Sequence, residues 1–178
     1  MDSLVAIDSN CMTYLVEAMS EGSKPSGDTS NEKIALLRIF IYHDKYLCIS
    51  TTVRKEFDKI VDEAKRQSHH GVADILLLDI PTTDQNLIES LILEYNIYHP
   101  GEKNKKDCRI LAEAELGGAN IFLTYDQIFL NNLCNNTHKI SMFKPSNYWH
   151  DLSIPHDISP IRSPSANNPL SLNKWWGW

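Results

Sequence analysis

Apolar and polar positions alternate between two periods along this chain. Leu4-Val5-Ala6-Ile7 is a continuous apolar run that closes on Asp8, which predicts a short strand buried on both faces. Residues 10–20 then take up helical spacing. Residues 20–31 (SEGSKPSGDTSN) form a loop rich in Ser, with Gly and Pro. Asn31 is placed to cap a helix whose apolar positions are Ile34, Leu37 and Ile41. Tyr46 to Ser50 reads as a second strand. Thr51 or Thr52 opens a charged helix to about Gln67, with Val53, Phe57, Ile60, Val61 and Ala64 on one face. Ile75 to Ile80 reads as a third strand, stopped by Pro81. Thr83 or Asp84 caps a helix carrying Leu87, Leu91 and Ile92.

A polar, basic loop is expected over residues 96–106. A helix follows from about Lys106 to Leu116, with Ile110, Leu111 and Ala114 on its apolar side, and Gly117-Gly118 ends it. Ile121 to Thr124 is a strand just before Asp126. Ile128 to Cys134 reads as a short helix or turn, and Lys139 to Phe143 offers a last strand. Strands alternating with helices predict an α/β fold: a three-layer α/β/α sandwich with a mostly parallel central sheet. Pro155, Pro160, Pro164 and Pro169 break regular structure after about Tyr148. We therefore read residues 1–148 as one domain and 149–178 as a Pro-rich extension ending in tryptophans.

Composition narrows the class. The 178 residues suit one domain, and 42% hydrophobic content supplies a core without disulfide staples. Cys11, Cys48, Cys108 and Cys134 are scattered, as expected of reduced thiols in a cytoplasmic protein. The opening MDSLVAIDSN lacks a signal-peptide pattern, and no apolar run approaches the ~18 residues that span a bilayer, so no membrane partner is expected. The net charge of −6 argues against broad coating of nucleic acid, though grouped basic residues still permit local contact.

In a parallel sheet, ligands bind at the carboxyl ends of the strands. Asp8 follows the first strand and Asp126 follows the Ile121 strand. Glu56 lies one turn into the helix after the second strand, and Asp107 lies in the first turn of its helix. Each has a plainer role open to it: a helix cap for Asp8, a solvated helix position for Glu56, a helix-terminus charge for Asp107, a turn for Asp126. Together they form an oxygen-rich set that suits Mg²⁺ or Mn²⁺ better than Zn²⁺. His69, His70 and His99 have no partner spacing that supports zinc.

Four stretches carry a family resemblance. They are Val5-Ala6-Ile7-Asp8-Ser9-Asn10, the segment Ser50 to Phe57 around Glu56, the helix Lys106 to Gly117 with Asp107, and Phe122-Leu123-Thr124-Tyr125-Asp126. In this order they resemble the PIN domain, over roughly residues 3–145. The resemblance implies a compact α/β/α fold and Mg²⁺- or Mn²⁺-dependent cleavage of single-stranded RNA. It implies Asp8, Glu56, Asp107 and Asp126 as catalytic, metal-site acids, with Ser9, Asn10 and Thr124 as supporting polar groups. Many such proteins are toxins of toxin–antitoxin pairs and form dimers, so an antitoxin or other protein partner and a homodimer are expectations here. The chain departs from the pattern at Ile128, where many members carry another acid.

The expected reaction is hydrolysis by a metal-activated water, leaving a 5′-phosphate and a 3′-hydroxyl. Asp8 and Asp126, helped by Asp107, would hold the tighter ion. Glu56 would bind it through water or hold a second ion. Arg54, Lys55, Lys103, Lys105, Lys106 and Arg109 flank the acids and are the expected RNA contacts, with salt-dependent binding. Tyr125 either stacks on a base or packs. Trp175, Trp176 and Trp178 are too apolar to stand in water and are expected to dock, most simply on their own domain. The main rival is a PIN-like RNA-binding or assembly module without catalysis. A phosphatase with Asp8 as nucleophile fits less well, because the position two residues on is Asn10.

Overall fold

A computed structural model describes residues 4–81 and 84–178. The element order is β1 (Leu4–Ile7), α1 (Ser9–Glu21), α2 (Ser30–Tyr42), β2 (Leu47–Ile49), α3 (Thr51–Phe57), α4 (Glu63–Leu76), β3 (Leu78–Asp79), α5 (Gln85–Tyr98), α6 (Lys105–Leu116), β4 (Ala119–Leu123), α7 (Gln127–Leu133), β5 (Ser141–Phe143) and α8 (Pro145–Asp151). A single 3₁₀ turn covers Pro169–Ser171. The five strands lie in the order β3-β2-β1-β4-β5, every pair parallel. Helix α1 contacts α2 and α4, and α2 contacts α8; α5 contacts α6 and α7, and α3 lies against α6 and α4. This is the α/β/α sandwich expected from the alternation of periods.

Central β1 explains why its sequence is a bare apolar run. Val5, Ala6 and Ile7 are buried between β2 and β4 and between two helical layers. Three strands hand over to helices through a capping oxygen. Asp8 accepts from Cys11 N–H, Ser50 from Val53 N–H, and Asp126 from Ile128 and Phe129 N–H. The plain capping role open to Asp8 is therefore one it performs, at the sheet edge, while its second oxygen accepts from the Thr124 hydroxyl.

The predicted helix from Thr51 or Thr52 to Gln67 is two helices. Val53 and Phe57 are buried on α3, but Val61 is 96% exposed, so the apolar stripe does not continue across the break. Asp62 restarts the chain as a helix by accepting from Lys65 N–H at 2.8 Å. Asp62→Ala should lower stability by about 1 kcal/mol, read from the urea midpoint at constant slope. The third strand is likewise shorter than its apolar run: Ile75 belongs to the last turn of α4 and is 80% exposed, leaving only Leu78–Asp79 as β3. Thr29, without a side-chain bond, replaces Asn31 at the start of α2. Helix α5 runs on through Tyr98, into the segment expected to be loop, and Asp84 is its cap; Thr83 lies outside the described residues.

The C-terminal tail docks on its own chain. Arg162 donates to the carbonyls of Phe40, His43 and Lys45, and Ile161 and Arg162 N–H both reach the carbonyl of Ile41, so they satisfy the end of α2. Trp175, Trp176 and Trp178 donate their indole N–H groups to the carbonyls of Gly22, Leu170 and Ile154. Gly22 sits at φ 65°, and a side chain there would meet Pro169 Cβ at 2.3 Å. That position needs glycine both for its backbone and for the passage of the tail. Cys11, Cys48 and Cys108 are buried free thiols, and Cys134 is an exposed one. Among the described residues, no helix is long and apolar enough to cross a membrane.

Candidate active site

Register brings the first two acids together. Ile7 pairs with Leu123 across β1 and β4, so the next residues, Asp8 and Thr124, emerge side by side at the carboxyl edge. Thr124 Oγ1 donates to Asp8 Oδ2 at 2.6 Å and accepts from Asp126 N–H at 3.0 Å. The other Asp8 oxygen accepts from Cys11 N–H at 2.6 Å. Thr124 thus ties the ends of the two central strands, and it is fully buried. Asp107 approaches from the first turn of α6.

These groups line a cavity of about 50 Å³: Asp8, Asn10, Asp107, Thr124 and Asp126, over apolar walls that include Phe122 and Phe129. Burial pushes the Asp8 carboxyl up, against the opposing bonds from Cys11 and Thr124, and Asp107 adds repulsion. Burial also pushes Asp107 up; Lys106 opposes this, while Asp126 and Glu56 reinforce it. Two carboxyls are therefore held where their charged forms are disfavoured, an environment that a cation would relieve.

Glu56 stands apart. It does not line the cavity. Lys106 Nζ contacts its Oε1 at 2.8 Å, and Ser9 Oγ donates to its Oε2. Burial works against the Lys106 ammonium, but the bond and charge of Glu56, with Asp107 and Asp8 behind it, raise its pKa on balance.

The donor chemistry fits a hard divalent ion. Carboxylate, amide and hydroxyl oxygens surround the cavity, without thiolate or imidazole. Among the described residues, no group of three or more His, Cys, Asp or Glu side chains stands arranged to hold a metal ion.

The flanking cations divide. Arg54 is committed to Asp74 at 2.5 Å and Asp79 at 2.8 Å, which ties α3 to α4 and β3. Arg109 pairs with Glu89, and Lys105 with Glu102 at 2.6 Å. Lys55 and Lys103 are exposed and have no ion partner among the described residues. Tyr125 packs edge-on against Tyr14, with ring centroids 4.5 Å apart. His69 bonds to the Lys65 carbonyl and His70 to Asp58.

His99 was not legible as part of this neighbourhood. It is buried at the end of α5, bonds to Asn132 at 3.0 Å, packs on Phe129 and lies within electrostatic reach of Asp107. The spacing Leu91, Tyr95, His99 is the available signal, since it places His99 on the buried face of a helix continued by one more turn.

No protein-family profile matches the chain, and no curated protein matches it. Solved structures do. The structure of VapBC2 from Rickettsia felis, bound to a DNA fragment from their promoter, aligns with a TM-score of 0.50 at 15% identity, over 79% of this chain and 97% of that one. FitAcB from Neisseria gonorrhoeae aligns at 0.46 and 16% identity, over 79% and 97% of the two chains. FitAB bound to a DNA fragment aligns at 0.45 and 18%, over 82% and 96%. The fold is PIN-like. At these identities the likeness concerns the fold, and the chemistry must be argued from the side chains.

Proposed function

We propose that this chain is a metal-dependent endoribonuclease that hydrolyses phosphodiester bonds of single-stranded RNA. The observation that carries the reading is the convergence of Asp8, Asp107 and Asp126, from three separate elements, on one small cavity at the carboxyl edge of the sheet. Like charges brought together destabilise a fold, the more so with Asp8 buried and Asp107 half-buried, and a cation would relieve that repulsion.

Asp8, Asp107 and Asp126 would hold Mg²⁺ or Mn²⁺, with Thr124 fixing the Asp8 side chain and Asn10 beside them in the cavity wall. The ion would supply Lewis-acid activation of water and neutralise charge at the scissile phosphate. The water oxygen would bond to phosphorus as the bond to the 3′ oxygen breaks, and a water proton would pass to that oxygen, which leaves a 5′-phosphate and a 3′-hydroxyl. Lys55, Lys103 and Lys106 receive the backbone. Arg54, Lys105 and Arg109 are held by acidic neighbours and contribute less. The chain would act in the cytoplasm, as the toxin of a toxin–antitoxin pair with a protein antitoxin, and as a homodimer.

A labelled single-stranded RNA incubated with purified protein, with and without Mn²⁺, tests the activity. Cleavage that requires the ion and leaves 5′-phosphate ends supports it. No cleavage, together with no thermal stabilisation by Mn²⁺, favours a PIN-like RNA-binding or assembly module. RNA binding should weaken steeply with salt. Lys55→Ala and Lys103→Ala should each reduce the slope of log affinity against log salt by about 0.7, measured by fluorescence anisotropy.

A further inference from the structure

We propose that Lys106 is the second cation of this site: its ammonium occupies Glu56 in place of a second divalent ion and faces the incoming RNA phosphate. The inference rests on the metal-dependent reading above and changes the role of Glu56 within it.

Glu56 is the one of the four acids that an ammonium occupies and that lies outside the cavity lining. Both of its oxygens already accept, one from Lys106 and one from Ser9, and it is absent from the lining of the cavity that Asp8, Asp107 and Asp126 share. At the start of α7, Ile128 is 68% exposed and offers no side-chain oxygen. A second divalent ion that used Glu56 would have to displace an ammonium to reach it.

A second divalent ion at Glu56 would also meet the Lys106 ammonium, a like charge, at close range. Lys106 is also well placed for substrate. It directly precedes Asp107 on α6, and its side chain is 47% exposed. An ammonium has three donors on a flexible stem. With one on Glu56, two remain for phosphate oxygens. Glu56 and Ser9 are then positioning residues for Lys106. Lys106 forms no bond and moves no proton; it offsets the charge on the non-bridging oxygens.

The test is the number of Mn²⁺ ions bound per chain, by calorimetric titration and by the loss of free-ion electron paramagnetic resonance signal. Wild type should bind one. Lys106→Met, checked for folding by circular dichroism, should bind a second ion or bind the first at least tenfold more tightly. Lys24→Met, on the distant loop between α1 and α2, controls for the change in overall charge and should match wild type. Glu56→Gln should still bind one ion. Two ions on wild type, equal behaviour of Lys106→Met and Lys24→Met, or loss of the single ion in Glu56→Gln would each overturn the assignment to Lys106. Failure of every variant and of wild type to take up Mn²⁺ would overturn the metal-dependent reading itself, and the role of Lys106 with it.

Discussion

Asp8→Asn should abolish RNA cleavage and leave the protein at least as stable as wild type at neutral pH. Asn keeps an acceptor for Cys11 N–H. Thr124 can reverse its hydroxyl to meet the new amide. What disappears is a charge that burial disfavours. A carboxyl whose folded pKa is raised binds its proton more readily in the folded state. Its contribution to stability is therefore fully present below the ordinary carboxylate pKa and is lost as pH rises through the raised value. At pH 7 the wild-type carboxylate is a liability, and the substitution removes it. Asp107, also raised, acts in the same direction.

Activity should respond in the opposite sense. Loss of an anionic ligand and of its grip on the activating ion should lower cleavage by about 10²- to 10⁴-fold, the scale of removing an acid–base or electrostatic group. The decisive measurement pairs a thermal melt with a cleavage assay, each with and without Mn²⁺. Wild type should gain stability from the ion and Asp8→Asn should gain less. A fully active Asp8→Asn protein would sink the site, and an inactive but unfolded one would show that Asp8 is needed for the fold.

The aspartates were legible because each follows a pattern with little ambiguity. An apolar run too short for a helix must be a buried strand, and the polar residue that closes it must lie at the sheet edge; Asp8 and Asp126 meet that description. Ambiguity entered where short apolar segments fit both periods. Ile75 to Ile80 looks like a strand, yet its first residues finish α4, because a surface helix tolerates an exposed Ile75 and local spacing does not report exposure. The break between α3 and α4 was hidden for the same reason, with Val61 counted into an apolar face that it does not join. Ion pairing was hidden by distance along the chain. Lys106 reads as one of several basic residues near Asp107, and nothing local connects it with Glu56 fifty residues earlier. Arg54 illustrates the same limit. It adjoins Glu56 in sequence, but its guanidinium turns to Asp74 and Asp79, residues that the fold alone brings near.

Trp176→Ala should lower stability by about 3 kcal/mol or more, and the melting temperature by roughly 6–12 °C. Trp176 is 5% exposed, contributes to the continuous core, and stands 6.4 Å from the Tyr42 ring. Its indole N–H reaches the Leu170 carbonyl at 2.9 Å, and its own carbonyl accepts from Arg38 Nε at 3.1 Å. Arg38 also bonds to the Gly177 carbonyl and covers the Trp178 ring at 4.7 Å. One arginine on α2 therefore binds three consecutive residues of the tail, and Trp178 N–H reaches the Tyr42 hydroxyl at 3.1 Å. Removing the buried indole leaves a cavity beneath these contacts and exposes Tyr42 and Leu170, so the loss reaches the α2 layer as well as the tail. A two-state melt followed by far-ultraviolet circular dichroism reads the global change, and tryptophan fluorescence, measured with Trp149 of α8 replaced by Phe in both proteins, reads the tail. Coincident transitions, both shifted down, are expected if tail and sandwich unfold together. An unchanged dichroism midpoint with an early fluorescence transition would show instead that the tail detaches alone and adds nothing to the sandwich it covers.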